Sequence, residues 1–201
     1  GIHEPISQLR KLRQLRLEIP FLDILNECSQ EDLIKAVANL KNLEHLHLDF
    51  SITHSHSANT TSVLNDSIKG LQNLKSLFLD VTFRGSSTFN FLKGLKNLES
   101  IDMQPKRLHD TGFEALLFSI EFPQNLHKLK LEIPNELTDS SFICLGEMFR
   151  RAQNITSLAL GFDSLGSSRL KGLQEINKSL SYLTFLEEYC LGVKFLNEET
   201  A

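Results

Sequence analysis

Aliphatic residues spaced three and then two apart, in the form L-x-x-L-x-L, recur seven times along the chain. The copies are Leu12/Leu15/Leu17, Leu43/Leu46/Leu48, Leu74/Leu77/Leu79, Leu98/Ile101/Met103, Leu126/Leu129/Leu131, Ile155/Leu158/Leu160 and Leu186/Tyr189/Leu191. Successive starts lie 31, 31, 24, 28, 29 and 31 residues apart. The x-L-x-L-x half of each copy alternates apolar and polar, which predicts a strand of about three to five residues with one face buried. Upstream, apolar residues stand three apart, as in Val37/Leu40/Leu43/Leu46, Ile68/Leu71/Leu74/Leu77 and Leu92/Leu95/Leu98/Ile101. This spacing predicts a helix before each strand.

Start signals accompany these helices. Ser29-Gln30-Glu31-Asp32 precedes the apolar stretch Asp32–Leu40, Asp110-Thr111 precedes Phe113–Ile120, and Thr138-Asp139 precedes Phe142–Phe149. Each offers a side-chain acceptor and an acidic first turn. Before most strands stands an asparagine, at Asn42, Asn73, Asn97, Asn125 and Asn154. Asparagine tolerates the left-handed conformation, so these positions are expected to cap helix C-termini. The unit is helix, turn, strand, loop.

One such unit cannot cover its own leucines, whereas stacked units bury them in one continuous core with parallel strands and helices outside. Hairpin signals such as Asn-Gly or Asp-Gly are missing from the sequence, in agreement with parallel pairing. The seven in-phase copies, covering residues 6–191, resemble the leucine-rich repeat family. Repeat lengths of mostly 28–31 residues with helical connectors are similar to its intracellular, ribonuclease-inhibitor-like branch. The resemblance implies an α/β solenoid of about seven repeats, a curved horseshoe with parallel strands on the concave face and helices on the convex face. It also implies recognition of a protein partner rather than catalysis. One departure is plain: the family's Asn or Cys three residues after the last leucine is here Pro20, Ser51, Thr82, Lys106, Pro134 and Asp163.

Residues beside the leucines in each strand would point outward onto the concave side, in columns. The central column is Arg16, His47, Phe78, Asp102, Lys130, Ala159 and Cys190. Before it runs Gln14, His45, Ser76, Ser100, Lys128, Ser157 and Glu188, and after it Glu18, Asp49, Asp80, Gln104, Glu132, Gly161 and Gly192. The last column sets carboxylates on four of the first five strands. It reads either as a docking strip for a basic protein surface or as a solvated polar face. Phe78 is the expected apolar anchor, because an aromatic on an otherwise polar face has no core to join. The partner-binding set is thus Arg16, Glu18, His47, Asp49, Phe78, Asp80, Asp102, Lys130 and Glu132.

Composition narrows the alternatives. The 201 residues are 41% apolar and 23% charged with a net charge of −4, which excludes a disordered chain and lacks the basic excess that nucleic-acid binding requires. No apolar run approaches the roughly 18–20 residues of a membrane span, and the start Gly1-Ile2-His3-Glu4-Pro5 is unlike a signal peptide. Cys28, Cys144 and Cys190 are far apart, favouring a reducing, cytoplasmic setting over a disulfide framework. Four sequons, at Asn59, Asn65, Asn154 and Asn177, are the opposing sign.

Catalytic motifs are missing. There is no phosphate loop, GxGxxG or G-x-S-x-G, and no cofactor is expected. The segment from His45 to His56 holds four of the seven histidines, and His45, His47, Asp49, His54 and His56 are a weak zinc constellation. Ile6–Leu12 aligns with Ile68–Leu74, so the chain is expected to start inside the helix of an earlier repeat and to be an excerpt of a longer protein, or to be sealed by a neighbour. Two further roles fit the same sequence. One is the recognition arm of a ubiquitin-ligase receptor, kinase-linked sensor or GTPase activator. The other is a structural subunit of a cytoskeletal or ciliary assembly, which exposed Phe89, Phe118 and Phe122 on the helix backs would favour.

Overall fold

The computed structural model describes residues 3–19, 27–50, 58–82, 89–106, 108–165 and 170–196. In chain order these form α1 (His3–Gln8), β1 (Gln14–Ile19), α2 (Glu27–Val37), β2 (His45–Phe50), α3 (Ala58–Lys69), β3 (Ser76–Thr82), β4 (Ser100–Lys106), α4 (Asp110–Ser119), β5 (Lys128–Ile133), α5 (Asp139–Arg151), β6 (Ser157–Leu165), α6 (Leu170–Leu180) and β7 (Glu188–Leu196). The strands make one seven-stranded sheet in the order β1 to β7, every pair parallel. They run six to nine residues, longer than the motif alone suggests.

The repeat phase sets the register. Leu15, Leu46, Leu77, Ile101, Leu129, Leu158 and Tyr189 lie side by side, as do Leu17, Leu48, Leu79, Met103, Leu131, Leu160 and Leu191. On β2 to β6 these rows are buried, while the residues between them are largely accessible. Parallel strands in consecutive order are joined by crossovers of one hand as a rule, which puts the helices on one side of the sheet and leaves the other bare. Just before each strand, one carbonyl accepts two N–H groups of the next repeat: Arg13 from Glu44 and His45, Glu44 from Lys75 and Ser76, Lys75 from Glu99 and Ser100. The same pattern continues from Glu99, His127 and Thr156.

The three-residue apolar spacing turns out not to be α-helical. α2 ends at Val37 and α3 at Lys69, and the leucines that follow close successive three-residue turns. Leu40 N donates to Val37 O, Leu43 N to Leu40 O, Leu71 N to Ile68 O and Leu74 N to Leu71 O. A period of three keeps each leucine on one side when hydrogen bonds span three residues; an α-helix would need three and four in alternation. In the shortest repeat the described residues before the strand hold such turns alone. Between β3 and β4, described residues 89–99 hold turns at Leu92–Leu95 and Leu95–Leu98 with Gly94 at φ 83°, and no α-helix.

The asparagines also act differently from expectation. Among the described residues only Phe122 is a non-glycine with positive φ, so none of the five adopts the left-handed cap. Instead Asn42 Nδ2 donates to Arg10 O at 2.8 Å, Asn73 Nδ2 to Lys41 O at 2.9 Å and Asn97 Nδ2 to Gln72 O at 2.9 Å. Each amide reaches the turn of the preceding repeat. This ladder lies before the strand, at the opposite end from the family position occupied here by Pro20 and its counterparts.

Helix starts are joined in the same way. α2 begins at Glu27, so the chain is already helical at Ser29 and that residue does not start it. Thr138 does cap α5, accepting from Ser140 N. Asp110 leaves its own helix uncapped and serves the next. Its carboxylate accepts from Thr138 N at 2.8 Å, Thr138 Oγ1 at 2.8 Å and Ser141 Oγ at 2.6 Å. Asp139 repeats the move, accepting from Gly172 N of α6 at 3.0 Å. Burial raises the Asp110 carboxyl pKa, but the bonds from Ser141 and Thr138 outweigh it and hold the group below its ordinary 3.8. A depressed carboxyl contributes stability above the unfolded value and loses it as pH falls through the lower folded one. Asp110→Ala should therefore cost about 2 kcal/mol near neutrality, from lost charge-assisted bonds and the stranded Ser141 hydroxyl, and much less near pH ~2. Urea midpoints at the two pH values check this; equal losses at both would refute the clamp.

Helices pack in sequence in two runs, α1 to α3 and α4 to α6, and α6 meets α5 closely where a Cβ on Gly172 would stand 2.6 Å from Phe142 Cβ and Cγ. Of the three phenylalanines marked for the helix backs, Phe89 is buried, Phe122 half-buried with the Arg151 guanidinium over its ring, and Phe118 exposed. No helix among the described residues is long and apolar enough to cross a membrane.

Candidate functional site

The bare face of the sheet carries the predicted columns as spatial rows. Arg16, His47, Phe78, Asp102, Lys130, Ala159 and Cys190 are in register across all seven strands, and so are Gln14, His45, Ser76, Ser100, Lys128, Ser157 and Glu188. The third row is interrupted. Glu18, Asp49, Asp80 and Gln104 pair in sequence, but the β4–β5 ladder stops at Met103–Leu131, and Glu132 begins a second stretch with Gly161 and Gly192.

Most of the charged groups on this face are engaged with one another. Arg16 Nε donates to Glu18 Oε1 at 2.7 Å, Lys130 Nζ to Asp102 Oδ2 at 3.0 Å, and Lys106 Nζ to Asp80 Oδ2 at 2.6 Å. Asp80 is nine-tenths buried despite its charge, because the Lys106 ammonium from the next strand covers it. The Glu132 carboxylate lies over Gly161, where it would collide with any Cβ, so the glycine leaves room for the acid. Two of the four carboxylates of the strip, Glu18 and Asp80, are thus neutralised from within. Asp49, half-buried, adds its charge near His47.

His47 and Phe78 form the centre. Their rings stack with centroids 3.8 Å apart and planes 2° from parallel. Burial, then the Arg16 charge, lowers the His47 pKa against the pull of Glu18, Asp49 and Asp102, so the imidazole is neutral at neutral pH and stacks as an aromatic. Its Nε2 lies 3.5 Å from Glu18 Oε1 without a hydrogen bond. Among the described residues, the buried side-chain polar atoms lacking any hydrogen bond are His47 Nε2, Asp80 Oδ1 and Asp102 Oδ1. All three belong to this face. Phe78 and Ser76 stand between two open depressions. One of about 340 Å³ lies over Arg16, His45 and His47, the other of about 400 Å³ over Ser100, Lys128, Lys130 and Ser157.

The zinc constellation is only partly visible. His45 is exposed and His47 is held in the stack, while His54 and His56 lie outside the described residues. No group of three His, Cys, Asp or Glu among the described residues is placed to hold a metal ion. Cys144 and Cys190 are free thiols, and burial pushes Cys144 up to about 11. Cys190 is exposed on the open face, and Cys28 lies in α2 with its side chain outside the described residues. The sequon at Asn65 is buried in α3, where its Oδ1 accepts from Asn90 N. Asn154 and Asn177 are exposed, and the side chain of Asn59 falls outside the described residues.

One feature of the rim escaped the column reading. In the first four copies the residue after the first leucine alternates in charge, Arg13, Glu44, Lys75, Glu99. Glu44 sits between Arg13 Nε at 3.5 Å and Lys75 Nζ at 3.0 Å. The Lys75 bond holds Glu44 below the usual carboxylate range, and Glu44 in turn raises Lys75. With Asn42, Asn73 and Asn97 these groups line a polar trough of about 710 Å³. Arg13 and Lys75 share Glu44 and three of the amides bridge repeats, so this part of the trough is joinery between units. The alternating sign was present in the sequence and would have revealed it.

No protein-family model matches this chain, and the search of curated proteins finds no match.

Proposed function

We propose that this chain is a leucine-rich repeat recognition module, of the ribonuclease-inhibitor-like intracellular kind, that binds a protein partner across the open face of its sheet. Seven in-phase copies of L-x-x-L-x-L and a parallel sheet in consecutive order support the family reading. One observation carries the functional reading: the unpaired buried polar atoms and the stacked aromatic pair coincide at the middle of the bare face, between two depressions. Unpaired buried polar atoms are uncommon in proteins, and three of them gather at this one place. The contact set is Arg16, Glu18, His47, Asp49, Phe78, Asp80, Asp102, Lys130 and Glu132, with Phe78 as the anchor. The activity is binding, without catalysis or cofactor, and the setting is the cytoplasm.

Affinity capture from the native source, identified by mass spectrometry, tests this. A specific partner should be retained by the unaltered chain and lost with Phe78→Ala, at least tenfold by an anchor's typical loss of ~2 kcal/mol. A partner retained equally by Phe78→Ala, by Asp80→Ala and by Arg16→Ala would place binding elsewhere. The second reading, a structural subunit packed on its helix side as well, is favoured by the exposure of Phe118 on α4 and Ile143 on α5. Capture that depends on Phe118 and Ile143 but not on Phe78 would select it.

A further inference from the structure

The depression over β4 to β6 has a composition distinct from the rest of the open face. Its floor is made of small side chains: Ser76, Ser100 and Ser157 in one row and Ala159 in the next. Its walls are the Phe78 ring on one side and the Lys128 and Lys130 stems on the other. Stacking on His47 at 3.8 Å ties the Phe78 ring to its β2 neighbour. Ser100 Oγ donates to Ser76 Oγ at 2.9 Å, a hydroxyl chain lying on the floor.

Charge sets the occupant. Lys130 is held by Asp102 at 3.0 Å, whereas Lys128, exposed one row away, has no ion-pair partner among the described residues. Two ammonium groups against one carboxylate leave this depression one positive charge. Of the other carboxylates of the face, Glu18 and Asp80 hold their own cations, Glu132 lies over Gly161, Asp49 stands beside His47, and Glu188, across Ser157 on β7, lies outside the lining of this depression. The expectation of a basic partner, drawn from the acidic column, therefore does not extend to this region. A single carboxylate balances the excess charge; a phosphate dianion would overfill it and face Asp102.

We propose that this depression captures an acidic segment of the protein partner, one Asp or Glu carboxylate between Lys128 and the Ser157 hydroxyl, with a neighbouring apolar side chain on Phe78. The proposal rests on the open-face binding reading and gives it a partner chemistry. Phe78 and Lys128 stand two strands and one row apart, about 12 Å at ~4.8 Å per strand and ~3.3 Å per residue along it. Three to four residues of extended or polyproline-II chain cover that distance, so the acid and the apolar residue are three or four positions apart in the partner.

Random linear peptides displayed on phage, panned on the intact chain, test the assignment. Selected peptides should carry Asp or Glu three or four positions from an aromatic or large aliphatic residue. Synthetic versions should bind about tenfold more weakly to Lys128→Ala, and about tenfold more weakly when their acid is changed to the amide. The two losses should not add, because each removes the same contact. Circular dichroism of the Lys128→Ala variant should be unchanged, since Lys128 is solvent-exposed. Basic or neutral selected peptides, additive losses, or a phosphoserine version binding more than about tenfold tighter than the carboxylate would overturn the assignment. Peptides sensitive to Phe78→Ala but not to Lys128→Ala would overturn it while leaving open-face binding standing. Indifference to both, or selection of nothing above a Phe78→Ala/Lys128→Glu background, would remove both.

Discussion

Leu77→Ala is expected to destabilise the fold by about 3 kcal/mol, while Phe78→Ala, its immediate neighbour, costs about 1 kcal/mol. Leu77 is 1% exposed and sits in the leucine row between Leu46 and Ile101, at the middle of the stack. Truncation there opens a cavity whose walls, held by sheet pairing on both sides, close only in part. Phe78 points the other way, and its removal forfeits chiefly the stack on His47. A cavity at the centre also weakens the contact between the two halves of the array, so chemical unfolding of Leu77→Ala should broaden or split into two steps. Urea unfolding followed by far-ultraviolet circular dichroism reads both effects. Equal losses from the two substitutions would mean that the open face is packed rather than bare.

Gly172→Leu is the second large effect, about 3 kcal/mol or more. α6 approaches α5 so closely at this point that even a methyl group would press on Phe142 Cβ and Cγ, atoms near the backbone that have little freedom to move. The helix start would also shift from Asp139, whose carboxylate accepts from Gly172 N. Gly146 offers the contrast, since its nearest neighbour is the Ser179 hydroxyl, a terminal group that can rotate away. In a Phe142→Ala background the space is already open, and the cost of Gly172→Leu should fall by at least about 1 kcal/mol. Thermal melts of the four members of the cycle measure this; an unchanged cost would mean that the strain lies in the backbone and not against Phe142.

The sheet was legible because its determinants are local. Seven copies of one spacing placed every strand, and since an in-phase repeat aligns equivalent residues, Arg16, His47, Phe78, Asp102 and Lys130 came out in a single row as read. What escaped depends on partners one repeat away. Asn42 as a capping residue and Asn42 as an amide bridging to Arg10 look identical in sequence, because the deciding acceptor lies 32 residues back. Asp110 likewise carries every local mark of a helix start, yet its hydrogen bonds belong to Thr138 and Ser141. The acidic column lost its meaning as a free strip through Lys106 and Asp80, which no spacing rule connects. The three-residue leucine spacing was the one local signal misread: a strict period of three, without the intervening four, already marks hydrogen-bonded turns rather than an α-helix.

The joints described above, an asparagine reaching back to the previous turn and an aspartate reaching forward to the next helix, involve adjoining units alone. The span between strand starts can therefore shrink to 24 residues or extend to 31 while the sheet continues in phase. Such a molecule can lengthen or shorten by whole units without redesign, since a duplicated unit arrives carrying both halves of its own couplings. A fraction of a unit would break a coupling and shift the face presented to solvent, so growth of this architecture is quantised.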